Sequence, residues 1–532
     1  MPAPDFFPAA DPPSTDAGSG DPRKPDAKLR RHDGTLRAAT IRLLIFALAA
    51  GLCPTVASLC AAVPARPNIV YLLADDLGTG DLSALNPTRG KIKTPHLDRL
   101  ARQGMVFTDA HSGSSVCTPT RYGLLTGRYA WRTTLQKGVL DGSDDPPLIA
   151  AGRLTVPAFL KRHGYATAAI GKWHLGFGAE LPPGAKPVDT KRGRTFEAGL
   201  PVGSRILDGP VTRGFDYFWG CSNARTMSGL IENQRVIEAL RPADMLPRLG
   251  DRAVAYIAER ARTQAPFFLY VPLTSPHTPI LPAPEWQGKS GLGAYGDFVL
   301  QTDAVVGAIL DALERHGLAG NTLVIFTADN GCSPAADTPG LERQGHFASA
   351  GFRGYKADIW EGGHRVPFIA RWPGRIAAGS RSDQLICLTD LLATCAELLG
   401  TALPPDAGED SVSFLPALLG QDRTPLREAV VHHSINGRFA LRQGPWKLAL
   451  CPASGGWSKP GDAEASRAGA PAVQLYRLDA DPGETNNLHA SHPDVVRRLT
   501  ALLERYVADG RSTPGARQRN DAAIDLLKRG AR

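Results

Sequence analysis

At 532 residues the chain is long enough for two or more domains, and its 43% of hydrophobic residues can fill a sizeable core. The net charge of +8 is mostly a property of one end: from Arg497 onward nine Lys/Arg face four Asp/Glu. No basic stripe interleaved with aromatics occurs elsewhere, which argues against nucleic acid as a partner.

Residues 1–42 are rich in Pro, Asp, Arg and Gly and carry no apolar periodicity, so disorder is expected there. The largely apolar stretch 43–62 follows Arg37 and Arg42 and is interrupted by Gly51 and Pro54. It fits a secretory signal better than a spanning helix, with an uncleaved anchor as the alternative. The lead before it is long for a signal, which leaves a misassigned start open. The expected location is outside the cytoplasm, periplasmic or secreted, with no stable membrane span once the signal is cleaved. Two of the eight cysteines lie in this leader. Cys387 and Cys395 fall in 385–399, which reads as one helix holding them about 12 Å apart along its axis, too far to pair. Cys221, Cys332 and Cys451 have no evident partners, so no disulfide framework is expected.

The run 68–74 is continuously apolar and β-rich, as expected of a parallel strand buried on both faces, and ends in Asp75-Asp76. Adjacent carboxylates at the end of a core strand are costly unless a cation sits between them. A helix over 94–104 and a short strand at 105–107 lead to Cys117. Pro119 suits the first turn of a helix, which places Cys117 at a helix N-terminus with Arg121 one turn on along the same face. Such a start attracts an anion and sets a nucleophile beside it. A helix over 154–164 precedes the strand 165–170, which leads into Lys172 and His174; if that segment stays extended, both point to one side.

Residues 177–213 show no convincing period and read as an irregular insertion. A helix over 244–263 precedes the strand 267–271, which is expected to break at Pro272 and deliver His277 on a loop stiffened by prolines. After a helix over 298–317, the strand 322–328 repeats the first strand's pattern and ends in Asp329-Asn330-Gly331. A glycine-rich loop region carrying Lys356 then leads to a strand at 368–371. From about residue 425 the texture changes to short strands, at 429–433, 439–443, 446–450 and 473–477, and a helix over 493–507. The basic end after Gly510 reads as loosely ordered.

This alternation predicts an α/β fold with a mainly parallel, doubly wound sheet over 66–424, a smaller antiparallel α+β unit over 425–510 and a basic tail at 511–532, behind a leader at 1–65. Ligands in such sheets gather at the carboxyl ends of the strands. Asp75, Asp76, Lys172, His174, His277, Asp329 and Asn330 all sit at or just beyond such ends. The acidic set offers oxygen ligands only, which suits calcium or magnesium. Arg121, Lys172 and Lys356 can balance the carboxylates and clamp an oxyanion, and His174 and His277 can move protons. The physical reading is metal-assisted cleavage of an anionic ester, with Cys117 as nucleophile or its precursor.

At these residues the chain resembles the type I sulfatases, the formylglycine-dependent, arylsulfatase-like enzymes. Cys117-Thr118-Pro119-Thr120-Arg121 matches their Cys-x-Pro-x-Arg signature, and Leu124-Leu125-Thr126-Gly127 matches its extension. Gly171-Lys172-Trp173-His174-Leu175-Gly176 matches the second signature. Thr120 departs from the small serine or alanine more usual there. The resemblance implies an alkaline-phosphatase-like fold and a Cys117 oxidised to formylglycine by a separate maturation enzyme, the hydrate then attacking sulfur. It implies one calcium, with magnesium possible, held by Asp75, Asp76, Asp329, Asn330 and the modified residue 117. Arg121 would hold residue 117, Lys172 and Lys356 would bind sulfate oxygens, His277 with Lys356 would assist the leaving alcohol, and His174 would help deprotonate the hydrate's second hydroxyl. The substrate would be a sulfated small molecule or glycan. Two rivals remain open on sequence: a phosphonate or phosphate monoester hydrolase, and a non-catalytic binder of sulfated glycans. Pocket specificity is expected from 177–213, 221–227 and the loop after Pro279.

Overall fold

The structure is a computed structural model that describes residues 66–141, 145–185, 199–421 and 424–528. The leader and signal expectations for 1–65, and the middle of the 177–213 insertion, lie outside the described residues. A twelve-stranded mixed sheet forms the framework. Its centre is parallel, in the spatial order Thr322–Ala328, Asn68–Asp75, Phe267–Pro276, Ala166–Lys172 and Tyr217–Cys221. Every residue of the first three of these strands is buried, which is why they read as unbroken apolar runs. Toward both edges pairing turns antiparallel: Phe368–Arg371 joins on one side, Gly229–Glu232 and Arg235–Ala239 on the other. Helices flank the sheet; Pro242–Arg260 and Gly293–Arg315 pack on each other and on the Phe267–Pro276 strand, while Val156–Arg162 packs on Ala166–Lys172.

Four strands, Val430–His433, Phe439–Gln443, Trp446–Ala449 and Gln474–Arg477, form a separate antiparallel sheet in chain order. Helix Pro493–Ala508 covers it with Val495, Leu499, Leu502, Leu503 and Tyr506, a spacing that puts one apolar stripe on one helix face. Tyr129 and Trp131, which follow the Cys117 helix, belong to that same apolar cluster.

A buried polar chain also links the two sheets. Lys447 Nζ lies 3.0 Å from Glu361 Oε1 and 2.8 Å from Glu484. It is also 3.0 Å from His364 Nε2, His364 Nδ1 is 3.1 Å from His111 Nδ1, and His111 Nε2 is 2.8 Å from Asp109. His364 Nε2 also lies 3.0 Å from the Ile359 carbonyl, so Lys447 and that carbonyl compete for one ring nitrogen, and the tautomer of each ring follows from which partner wins.

Several expectations fail locally. The 267–271 strand does not break at Pro272 but continues to Pro276; the missing proline N–H falls where the pairing with Asn68–Asp75 shifts register, between Leu73 and Asp75. Residues 385–399 are not one helix. Ile386–Cys387 pairs with Ala110–His111, and helix Leu391–Leu398 starts only after a turn in which buried Asp390 accepts from the Cys387 N–H at 2.8 Å and binds Arg427. The segment after Lys172 is not extended, because Gly171 has φ 143° and His174 φ 57°. The end after Gly510 packs down as far as it is described: Arg128 and Arg132 bind Asp521 and Asn520. All six cysteines among the described residues are buried and unpaired.

Candidate active site

The carboxyl ends of the central strands converge as the topology requires. Asp75 ends the first strand, and Asp76 follows with φ 65°, a left-handed turn that Asp tolerates better than most residues. The Asp329 N–H donates to the Ala74 carbonyl at 3.1 Å, and the Asp76 N–H donates to Asp329 Oδ1 at 3.2 Å. Backbone donors thus tie the ends of the two strands together and fix the Asp329 carboxylate beside Asp76. The Asn330 amide N–H donates to Asp76 Oδ1 at 2.8 Å, which leaves Asn330 Oδ1 without a partner.

Cations come from three other segments. Helix Cys117–Thr126 begins with the cysteine and ends at Gly127, whose φ of 66° makes a left-handed cap. Arg121, one turn in, donates from Nε and Nη2 to Asp329 Oδ2 at 3.1 and 2.7 Å and from Nη1 to the Lys172 carbonyl at 3.0 Å. Lys172 Nζ sits 2.6 Å from Asp75 Oδ2, and Lys356 Nζ bridges both Asp76 oxygens at 2.6 and 2.7 Å. All these side chains are almost wholly buried. Three carboxylates balance three cations, so adding a dication would turn the site net positive, a sink for an anionic ester.

Both histidines are held with one nitrogen free. His174 Nε2–H donates to the Leu140 carbonyl at 2.7 Å, leaving Nδ1 unpartnered. His277 Nδ1–H donates to the Thr278 carbonyl, and its Nε2 lies 3.6 Å from Asp76. Burial first, then Lys172 for His174 and Lys356 for His277, push both imidazoles well below the ordinary value, so each is neutral with a free lone pair. Burial also pushes the Cys117 thiol up, and Lys172 and Lys356 do not offset it. Burial raises Asp329 as well, with Asp75 adding, whereas at Asp76 burial is outweighed by Lys356 and His277 and the carboxyl falls below its usual range.

The donor set fits a hard cation. Asp75 Oδ1 and Asn330 Oδ1 are buried without a hydrogen bond, and ligand atoms of Asp75, Asp329 and Cys117 lie within 4.8 Å of one another. Unpaired buried oxygens of this kind are what an oxygen-loving ion satisfies.

The structure therefore brings together every site residue singled out in the sequence: Asp75, Asp76, Cys117, Arg121, Lys172, His174, His277, Asp329, Asn330 and Lys356. Thr120, the departure from the usual signature, is accommodated, its hydroxyl donating to the Ser114 carbonyl at 3.0 Å. A pocket of about 30 Å³ opens over Cys117, lined by Lys172, His174, His277 and Lys356. Asn223, Ala224 and Arg225, from a segment flagged for specificity, also line it. Ile435 and Trp457 come from the antiparallel unit and were not foreseen; the only signal was a tryptophan in a Ser/Gly-rich loop, and it is 46% exposed at the mouth.

Comparison with known proteins gives this arrangement its place. The Sulfatase family profile matches residues 67–401. An N-acetylgalactosamine-6-O-sulfatase of Bacteroides thetaiotaomicron is 36% identical over 493 residues, covering 82% of this chain and 93% of that protein. Arylsulfatase A of Homo sapiens is 35% identical, covering 87% and 90%. A solved structure described under "Metabolism of multiple glycosaminoglycans by bacteroides thetaiotaomicron" superposes with a TM-score of 0.72 at 33% identity, over 83% of this chain and 99% of that one. The mixed sheet flanked by helices, with its small antiparallel companion, is the alkaline-phosphatase-like α/β fold. A profile match over more than half the chain, with relatives above 30% identity along most of their length, makes this chain a member of the sulfatase family, a hydrolase of sulfate esters.

Proposed function

We propose that the chain is an exported sulfatase whose residue 117 works as formylglycine and whose acidic cluster holds one calcium ion, acting on a carbohydrate sulfate. The observation that carries this is the mismatch at Cys117. A soft, buried thiol held in its neutral form is a poor nucleophile and a poor ligand, yet it stands among hard oxygen donors and three cations. An oxygen at that position resolves both faults. Formylglycine supplies a hydrated aldehyde with two hydroxyls, one to attack sulfur and one to release it; the cation supplies Lewis-acid polarisation. Asp75, Asp76, Asp329 and Asn330 would hold the cation, with residue 117 beside them.

The chain's own side chains do the rest. Lys172 and Lys356 bind the sulfate oxygens as charge spreads over them. Arg121, which reaches no open space, fixes Asp329 and the end of the Lys172 strand relative to its own helix, and so positions residue 117. Lys356 is held protonated against the burial penalty by the summed pull of Asp76, Cys117, Asp75 and Asp329, and can share a proton with the leaving oxygen beside His277. His174 presents a free Nδ1 to the pocket and accepts the proton of a hydroxyl on residue 117.

The half-exposed Trp457 offers a flat apolar face to a pyranose ring at the mouth, and the likeness to an N-acetylgalactosamine-6-O-sulfatase supports a sugar over a simple aryl ester. In this reading the catalytic domain spans 66–424, the antiparallel subdomain 425–510 and the basic end 511–532. No described helix is long and apolar enough to cross a membrane. A maturation enzyme would act on Cys117 before the helix is buried. The test is peptide mass spectrometry across residue 117 together with sulfate release from sulfated sugars. Aldehyde in the active preparation is expected, with activity lost on chelation and restored by calcium. A fully active preparation whose residue 117 is entirely thiol overturns the proposal.

A further inference from the structure

The pocket over residue 117 is small, about 30 Å³, and is lined by the side chains that would bind the sulfate. An oligosaccharide carrying the ester would extend past its mouth. A second cavity of about 760 Å³ lies behind the same wall. Ile435 and Trp457 face the small pocket, while their chain neighbours Asn436 and Gly456 face the large one. Consecutive Cα atoms are only ~3.8 Å apart, so the partition is one residue thick at these points. It is also tied to the catalytic loop: the Ile435 N–H donates to the carbonyl of Ala357, next to Lys356, at 3.1 Å, and the Gly138 N–H donates to the Ile435 carbonyl at 2.7 Å.

The large cavity is lined by five cations, Lys137, Arg438, Lys459, Arg467 and Lys528, against three carboxylates. Arg438 is neutralised by Asp462 at 2.8 Å, and Lys459 is 4.0 Å from Glu464. Lys137 and Arg467 make no hydrogen bond or ion pair with any described residue, and both are exposed. Lys528 reaches the side-chain oxygen of Gln136 at 3.4 Å and the face of Phe439 at 5.3 Å, with Asp525 near enough to act on its charge. Burial, with Arg438 and Lys137 adding to it, pulls the Lys528 ammonium below its ordinary value although Asp525 opposes this. Positive charge is thus crowded in a groove with too few counter-charges, one residue away from the pocket that takes a sulfate.

We propose that this groove is a second anion subsite, holding a further sulfate or carboxylate of the same oligosaccharide whose sulfate ester enters the small pocket, with Lys137 and Arg467 as its free cations. The proposal rests on the sulfate-ester reading of that small pocket. It implies that the substrate is a polyanionic glycan bound across both cavities.

The test compares three substrates on the matured, calcium-loaded enzyme: para-nitrophenyl sulfate, a singly sulfated trisaccharide containing a uronate, and the same trisaccharide with its carboxyl reduced. The wild type should favour the uronate form through KM, and added salt should erase the difference. In the K137A/R467A double variant, KM for the uronate form should rise about tenfold with kcat within about twofold, as two exposed charge contacts would give. The reduced trisaccharide and the aryl ester should be unaffected, which a folding defect would not spare. Equal KM for the two trisaccharides in the wild type, or an equal loss on all three substrates in the variant, overturns the proposal alone. A matured wild type inert to every sulfate ester overturns the sulfate reading and this proposal with it.

Discussion

Arg121 shows how much one buried side chain decides. Its fork spans Asp329 and the Lys172 carbonyl, so charge alone cannot replace it. Arg121→Lys is expected to lower kcat by about 100-fold, because a shift of residue 117 on the order of 1 Å is enough for that. A variant within threefold of the parent in sulfate release would show that positioning does not depend on the fork. Asp75 makes a complementary case. Its Oδ2 is held by Lys172 in a fully buried ion pair while Oδ1 has no hydrogen bond, so Asp75→Asn should lower the apo Tm by leaving Lys172 without its counter-charge and should also abolish the rise in Tm expected from calcium at the proposed site; differential scanning calorimetry with and without calcium separates the two effects. These residues were legible in the sequence because their signatures are local, a cysteine, proline and arginine within one helical turn or a carboxylate pair ending an apolar run. Trp457 and Ile435 were not, because nothing near them in the chain says that their loops fold back onto the Cys117 pocket.

The central strands were legible for a related reason: a strand buried on both faces leaves an unbroken apolar run, whereas Tyr217–Cys221, Gly229–Glu232 and Arg235–Ala239, short and less uniformly buried, left no such signal. What ends an element was less legible, since the deciding contact is often distant. The 385–399 segment has a helical composition throughout, yet Asp390, paired with Arg427, and the ladder to Ala110–His111 split it. Gly331 is a stronger instance. Asn-Gly would ordinarily be read as a turn signal, but here the constraint is steric: a Cβ at Gly331 would stand 1.8 Å from the Gly362 carbonyl oxygen. That carbonyl precedes helix residue His364 of the buried polar chain, so neither side can yield cheaply. Gly331→Ala should therefore cost about 2–3 kcal/mol, in the range of overpacked core substitutions, and should lower calcium affinity by displacing Asp329 and Asn330. Denaturant unfolding paired with calcium titration separates the two effects; a variant as stable as the parent would mean that the Gly362–Gly363 loop is free to move.

At the scale of the whole molecule the antiparallel unit is held to the main sheet by polar groups as well as by apolar ones, and this gives the fold an acid limit. His433, at the junction, has neither ring nitrogen hydrogen-bonded, and burial, with Lys528 adding, pushes its pKa down to about 3. His432 and His364 are pushed well below the ordinary value in the same direction, burial first and a neighbouring histidine next. The folded value lies under the unfolded one of about 6.5, so above that pH both states are neutral and nothing is lost. Below it the unfolded chain binds a proton that the folded chain refuses, and stability falls by about 1.4 kcal/mol per pH unit for each such histidine until the folded value is reached. At pH 5 His433 alone thus removes about 2 kcal/mol relative to pH 8. His433→Leu, which retains an apolar side chain of similar size against Phe439, should lose about 2 kcal/mol less than the parent between pH 8 and pH 5 in urea unfolding, while its stability at pH 8 changes little. An acid limb as steep as the parent's would show that His433 is already charged in the folded state, and that Lys528 does not stand where it opposes that charge.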